Sequence, residues 1–291
     1  MVGATSVLLD GLWFPEGPRW HAGKLWFSDM LAQRVMTVDL DGHAEMVVPV
    51  PGRPSGLGWL PDGRLLVVSM TDRRLLRRDS NGLTEVADLS TLTSGYCNDM
   101  VVDRHGRAYI GHFGFDLEAL PITPRLAEIV LVLPDGTARI VADALAFPNG
   151  AVMTPDERTL VVAETLAARL TAFVVEPDGS LTHRRIWAAF DDLGFGLPDG
   201  RVTPDGICLD AEGAIWVASP ASAEVLRVRE GGVVTDRVSV VTAPYACMLG
   251  GPDRRTLFVL TAEPFHPGEP RAPNKGRIEM VQVAVRGVGL P

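Results

Sequence analysis

The chain has 291 residues, 46% of them hydrophobic and 22% charged, with 30 Gly and 22 Pro. That balance excludes a disordered chain and a collagen, and no apolar run approaches the ~18 residues of a membrane-spanning helix. A formal net charge of −9 argues against non-specific binding to nucleic acid or to an anionic membrane.

The predicted elements are short strands throughout. In chain order, Lys24–Ser28, Arg64–Ser69, Arg107–Gly111, Thr159–Ala163, Ala214–Ala218 and Thr256–Leu260 are rich in Val, Ile, Leu and aromatic residues. Each follows a tight-turn signal such as His-Ala-Gly or Pro-Asp-Gly. Another short apolar segment precedes each run, beginning at Gly17, Gly56, Asp99, Gly150, Gly206 and Cys247. The spacings between those starts are 39, 43, 51, 56 and 41 residues. Further strand pairs follow, such as Arg34–Asp39 with Ala44–Val48 and Leu75–Arg78 with Glu85–Asp88. The stretch Ala163–Leu170 reads as a strand end and a turn rather than a helix.

A repeat of about 40–50 residues with four short strands is the signature of a β-propeller blade. Six copies predict an all-β, six-bladed propeller, with residues 1–291 as one domain. The last repeat lacks a fourth strand, and Ser6–Asp10 has no other partner. That N-terminal strand is expected to complete the last blade and so remove an open sheet edge. Cys97, Cys208 and Cys247 have no CxxC spacing, which suggests core residues in a reducing, cytoplasmic setting. Met1–Leu9 is too short and lacks the basic start of a signal peptide.

In a propeller the first strand of each blade lines the central channel, and the residue just before it lies at one mouth. That register reads Glu16, Ser55, Asn98, Asn149, Asp205 and Ala246. Glu16, Asn98, Asn149 and Asp205 converge there as two carboxylates and two amides. Such a hard-oxygen set suits Ca²⁺, with Mg²⁺ or Mn²⁺ as alternatives; Zn²⁺ would call for His or Cys. Taken singly, Pro-Glu-Gly, Pro-Asn-Gly and Pro-Asp-Gly are ordinary turn tripeptides. Their recurrence at one register is what points to a site. Asp39 and Asp41 resemble an EF-hand start but lack its downstream ligands.

The second strands are expected to end at the same mouth with Asp29, Met70, His112, Glu164, Ser219 and Thr261. Phe113–Leu126, Glu263–Lys275 and Asp191–Thr203 read as loops over that face. Tyr96, Met70 and Phe113 would form an apolar wall and Ser219 a polar contact with substrate. Asp99 would orient its neighbour Asn98. His112 is a candidate for proton transfer, although a lone His at a strand end is more often a wall residue.

FPEGPRW with LWFSD, CNDMVVDRHGR, FPNGAVMTPDERTLVVAET and PDGICLDAEGAIWVA resemble the SMP-30/gluconolactonase/LRE-like family, in order, over about residues 14–285. The resemblance implies a six-bladed propeller with one divalent metal, calcium or zinc in different members, and hydrolysis of lactones. It places Glu16, Asn98, Asn149 and Asp205 on the metal-ligand positions and makes Asp205 the general base toward water. Sugar-lactone members carry Arg two residues before the third-motif Asn, whereas Tyr96 stands there in this chain, which implies a less polar lactone. The alternatives are a non-catalytic propeller with a structural metal that binds a ligand or protein, or another metal-assisted reaction such as a lyase, isomerase or phosphotriesterase.

Overall fold

A computed structural model describes residues 2–190, 201–264 and 272–289. Strand β1 (Ser6–Leu12) opens the chain. Blade 1 follows as β2 (Pro15–His21), β3 (Lys24–Asp29), β4 (Arg34–Val38) and β5 (Ala44–Pro49). Blade 2 is β6 (Pro54–Trp59), β7 (Leu65–Ser69), β8 (Arg74–Asp79) and β9 (Gly82–Asp88). Blade 3 is β10 (Cys97–Val102), β11 (Ala108–His112), β12 (Ala127–Val132) and β13 (Ala138–Leu145). Blade 4 is β14 (Pro148–Met153), β15 (Thr159–Glu164), β16 (Arg169–Val175) and β17 (Leu181–Ala189). Blade 5 is β18 (Ile207–Leu209), β19 (Ile215–Ser219), β20 (Glu224–Val228) and β21 (Val234–Ser239). Blade 6 is β22 (Ala243–Gly250), β23 (Thr256–Ala262) and β24 (Gly276–Gln282), with β1 as its outer strand.

Each blade is a four-stranded antiparallel sheet, and the six form a β-propeller. Ser6 pairs with Met280 and Leu12 with Gly276, so the N-terminal strand closes the ring as the repeat count required. The stretch Ala163–Leu170 is a strand end, one 3₁₀ turn (Thr165–Ala167) and the start of β16. Among the described residues no helix is long and apolar enough to cross a membrane.

Inner and second strands are buried on both faces, which is why they read as near-continuous apolar runs. Outer strands β5, β9 and β21 are mostly exposed or half-buried. All three cysteines are buried and reduced.

The inner strands share one irregularity. Their pairing slips between Glu16 and Arg19, Pro54 and Leu57, Cys97 and Met100, Pro148 and Ala151, and Pro244 and Ala246. A bulge adds a residue and re-aims the side chain beside it. Glu16, Ser55, Asn98 and Asn149 sit at these bulges, each as the second residue of its strand rather than just before it. Asp205 alone precedes its strand, β18.

The glycines after them are set by packing more than by turn geometry. Gly17 has a positive φ of 54°, but Gly56, Gly150 and Gly206 do not. A Cβ on Gly150 would lie 2.6 Å from the Asp205 carbonyl oxygen, and one on Gly206 would lie 2.6 Å from Ala246 Cβ. The next blade's inner strand occupies that space. These tripeptides are therefore points of blade-to-blade contact, not free turns.

Candidate metal centre and cavity

Glu16, Asn98, Asn149 and Asp205 come from blades 1, 3, 4 and 5 and line one cavity of about 320 Å³ at the channel mouth. Asn98 Nδ2 donates to Asn149 Oδ1 at 3.1 Å, and Ser55 Oγ donates to Asn98 Oδ1 at 3.3 Å. Asn149 Nδ2 contacts Thr165 Oγ1 at 3.2 Å, and Thr165 Oγ1 donates to the Pro204 carbonyl at 2.8 Å. One hydrogen-bonded chain thus runs from blade 2 to the segment that presents Asp205. Glu16 Oε2 accepts the Gly17 N–H at 2.9 Å. Carboxylate and amide oxygens with no imidazole or thiol beside them fit a hard divalent cation. A different grouping, Asp39, Asp41 and His43, is exposed on the β4–β5 turn, where Asp39 Oδ1 accepts the N–H groups of Asp41 and His43.

Above the donors lies a second tier. The residues two positions earlier, Phe14, Arg53, Tyr96, Phe147 and Thr203, all face the cavity. Arg53 and Phe147 stand there in left-handed backbone, with φ 62° and 61°. Aromatic contacts stiffen this wall: Phe14 to Tyr245 at 4.6 Å, Phe113 to Phe147 at 4.8 Å and Tyr96 to Phe113 at 6.4 Å between centroids. Burial first, then the Glu118 and Asp116 carboxylates, hold the Tyr96 hydroxyl above its ordinary pKa.

Of the strand-two positions, only Met70 reaches the cavity wall; Asp29, His112, Glu164, Ser219 and Thr261 are fully buried behind it. The cavity is faced in blades 1, 3, 4 and 5 by the next residue instead, Met30, Phe113, Thr165 and Pro220. Met70 itself follows the end of β7 at Ser69, so it belongs to this later register. A one-residue shift reverses which face a side chain takes.

The buried strand-two residues hold the cavity wall from behind. Asp29 Oδ1 accepts the N–H groups of Trp13 and Phe14, both at 2.9 Å, and its Oδ2 pairs with Arg34 at 2.8 Å. Glu164 Oε2 accepts the Ala146 N–H at 2.8 Å, while Oε1 pairs with Arg169 at 2.8 Å. Burial works to raise the Glu164 pKa, but Arg169 and the Thr171 hydroxyl hold it below its ordinary value. Ser219 Oγ accepts the Thr203 N–H at 3.0 Å. Each bond fixes backbone two or three residues before Glu16, Asn149 or Asp205. Sequence reasoning missed this role for Asp29 and Glu164, although an Arg five residues after each (Arg34, Arg169) is a readable sign of a clamped carboxylate.

His112 lies outside the cavity wall. Its Nδ1 accepts the Gly114 N–H at 3.1 Å, and Nε2 lies 2.8 Å from Glu128 Oε2. Burial lowers its pKa more than Glu128 raises it, so the ring is neutral near pH 7. Asp99 pairs with the buried Arg19 at 3.0 Å and accepts the Met100 N–H, facing blade 1. Met70, Tyr96 and Phe113 line the cavity; Ser219 does not. Of the expected loops, 113–126 contributes Phe113, Leu117 and Glu118 to the wall, and the 263–275 connection contributes Pro264. Residues 191–200 and 265–271 lie outside the described residues.

The fold and site define a class: six-bladed propellers that gather oxygen donors from several blades beneath an apolar cavity. The SMP-30/Gluconolactonase/LRE-like region matches residues 14–263, and the chain belongs to this family. It is 25% identical to pentonolactonase XacC of Haloferax volcanii over 264 residues, covering 89% of this chain and 84% of that protein. It is 25% identical to 6-deoxy-6-sulfogluconolactonase of Pseudomonas putida over 282 residues, covering 95% and 93%. Among solved structures, a calcium-binding protein, regucalcin, of Agrobacterium tumefaciens superposes with a TM-score of 0.78 at 22% identity, covering 100% and 97%.

Proposed function

We propose that this protein hydrolyses a lactone at the channel mouth, with one divalent cation held by Glu16, Asn98, Asn149 and Asp205. Ca²⁺ is the preferred ion on donor chemistry, ahead of Zn²⁺, Mn²⁺ and Mg²⁺. When bound, the ion supplies a Lewis acid for the ester carbonyl. The observation that carries the reading is the apolar cavity set directly above the oxygen donors. A purely structural ion needs no such approach from solvent. The names of the two relatives above support lactones as the substrate class.

Phe14, Phe113, Phe147 and Tyr245 bind the apolar body of the substrate and exclude water from it. Asp205 takes a proton from the attacking water while the water oxygen bonds to the acyl carbon. The acyl C–O bond of the ring then breaks, and the same proton passes to the leaving alkoxide. The product is a hydroxy acid. Ser219 holds Thr203, and Thr165 holds Pro204, which fixes the backbone on the approach to Asp205. No proton transfer is assigned to His112. The cavity's aromatic wall supports a substrate less polar than a sugar lactone.

A panel of aliphatic, aromatic and sugar lactones tests this directly, with Asp205→Asn and Asn149→Ala beside the parent. We expect apolar lactones to be opened best, and Asp205→Asn to lose at least a hundredfold in kcat. A parent that opens no lactone on the panel would overturn the reading.

A further inference from the structure

We infer that Arg53 forms an anion subsite in the cavity wall and that the substrate is a lactone with a carboxylate substituent on an otherwise apolar body. This rests on the lactonase reading and narrows its substrate class. Arg53 stands two residues before Ser55, the register at which Phe14, Tyr96 and Phe147 stand before Glu16, Asn98 and Asn149. It is the only cationic side chain among the described residues of the wall.

Arg53 occupies left-handed backbone, with φ 62°, in a tight turn closed by its N–H to the Val50 carbonyl at 3.0 Å. An L-residue there costs about 1–2 kcal/mol, which Gly would avoid. Phe147 holds the same conformation, φ 61°, at the equivalent place in blade 4, so this turn sets a side chain on the cavity wall, and in blade 2 that side chain is a cation.

The guanidinium has a partner that can be exchanged. Arg53 Nη1 donates to Glu118 Oε1 at 2.6 Å. The Glu118 side chain is 55% exposed, against 30% for Arg53. A carboxylate on the substrate can replace Glu118 on the fork, keeping a charge-assisted pair while Glu118 turns to water. A neutral substituent would displace that pair without replacing its charge. With a divalent cation bound, the carboxylates of Glu16 and Asp205 are neutralised as a set, which leaves Arg53 as the cationic side chain of the wall for a substrate carboxylate. The substituent is thereby directed to Arg53 and the ring carbonyl toward the donors.

The test uses the Ca²⁺-loaded full chain and two matched γ-lactones, one with a carboxymethyl group and one with its carboxamide. For the parent, kcat/KM should favour the acid at least tenfold. In Arg53→Met the ratio should fall to near one with an unchanged thermal midpoint; Arg53→Lys should retain part of it, and Glu118→Gln should increase it. Equal use of acid and carboxamide by the parent, or an unchanged ratio in Arg53→Met, overturns the subsite while the lactonase reading stands. Preferential loss of sugar-lactone turnover in Arg53→Met would instead assign Arg53 to hydroxyl groups and also overturns it. If the parent opens neither lactone, the lactonase reading fails, and calorimetry with the ring-opened hydroxy dicarboxylate decides the subsite. Binding that Arg53→Met abolishes supports it; no binding, or binding that Arg53→Met leaves intact, refutes it.

Discussion

The carboxylate of Glu164 accepts the Ala146 N–H at 2.8 Å, three residues before Asn149, without itself touching the cavity. Asp29 does the same for the backbone before Glu16. Glu164→Gln keeps the shape but removes the charge that pairs with Arg169 and Arg184. We expect a loss of about 1–3 kcal/mol in denaturant unfolding. Cation affinity should fall as well, because Gln has one acceptor oxygen and cannot serve both the Ala146 N–H and Arg169, which loosens the backbone before Asn149. Terbium luminescence, sensitised by Tyr96 and Tyr245 in the cavity wall, reads that affinity independently of turnover.

The same residue sets a pH dependence. Its folded pKa lies below the ordinary 4.5, so its contribution is present above that value and lost as pH falls through the folded pKa. The parent should therefore lose stability on acidification more steeply than Glu164→Gln. Their difference should narrow below pH 4.5, measured by urea unfolding across a pH series. Parallel curves would remove Glu164 from the acid sensitivity.

Gly150→Ala should disrupt the site from a position with no side chain of its own. The new Cβ would meet the Asp205 carbonyl oxygen and the Ile207 nitrogen, both at 2.6 Å, and both are backbone. Overpacking of this kind costs about 1–3 kcal/mol or more and should move Asp205. Gly3→Ala, with nothing within 4 Å, is the matched control and should be neutral. Unfolding curves and terbium titrations of both variants measure the contrast.

His112→Asn tests the separation of wall from support. A buried neutral ring held by Gly114 and Glu128 should affect the thermal midpoint more than kcat. The pH profile of kcat/KM should keep its shape. A lost limb below the ordinary histidine pKa of 6.5 would return His112 to the chemistry.

Much of this was readable in the residues. The repeat spacing carried the propeller and its closure by β1, because each blade is entered through similar turns. The register of Glu16, Asn98, Asn149 and Asp205 carried their convergence, because a ring brings equivalent positions to one axis. The strand-two ends Asp29, His112, Glu164 and Ser219 were located correctly, but the residue after each faces the cavity, because periodicity locates a strand and not which side its last side chain takes. Thr165 and Pro220 begin 3₁₀ turns, and that extra residue is what faces the cavity. Arg53 was overlooked because Ser55, its guide in the repeat, offers no strong metal ligand. Asp99 reads as a helper of Asn98 by adjacency, yet neighbouring residues on a strand face opposite sides, and it pairs with Arg19 instead.

The most direct measurement is lactone turnover by the full chain after chelation, followed by titration with Ca²⁺, Mn²⁺ or Zn²⁺. The account predicts that turnover vanishes with the cation and returns with its restoration. Asp205→Asn should remain inactive at every cation concentration. Full turnover by the chelated parent would contradict the account.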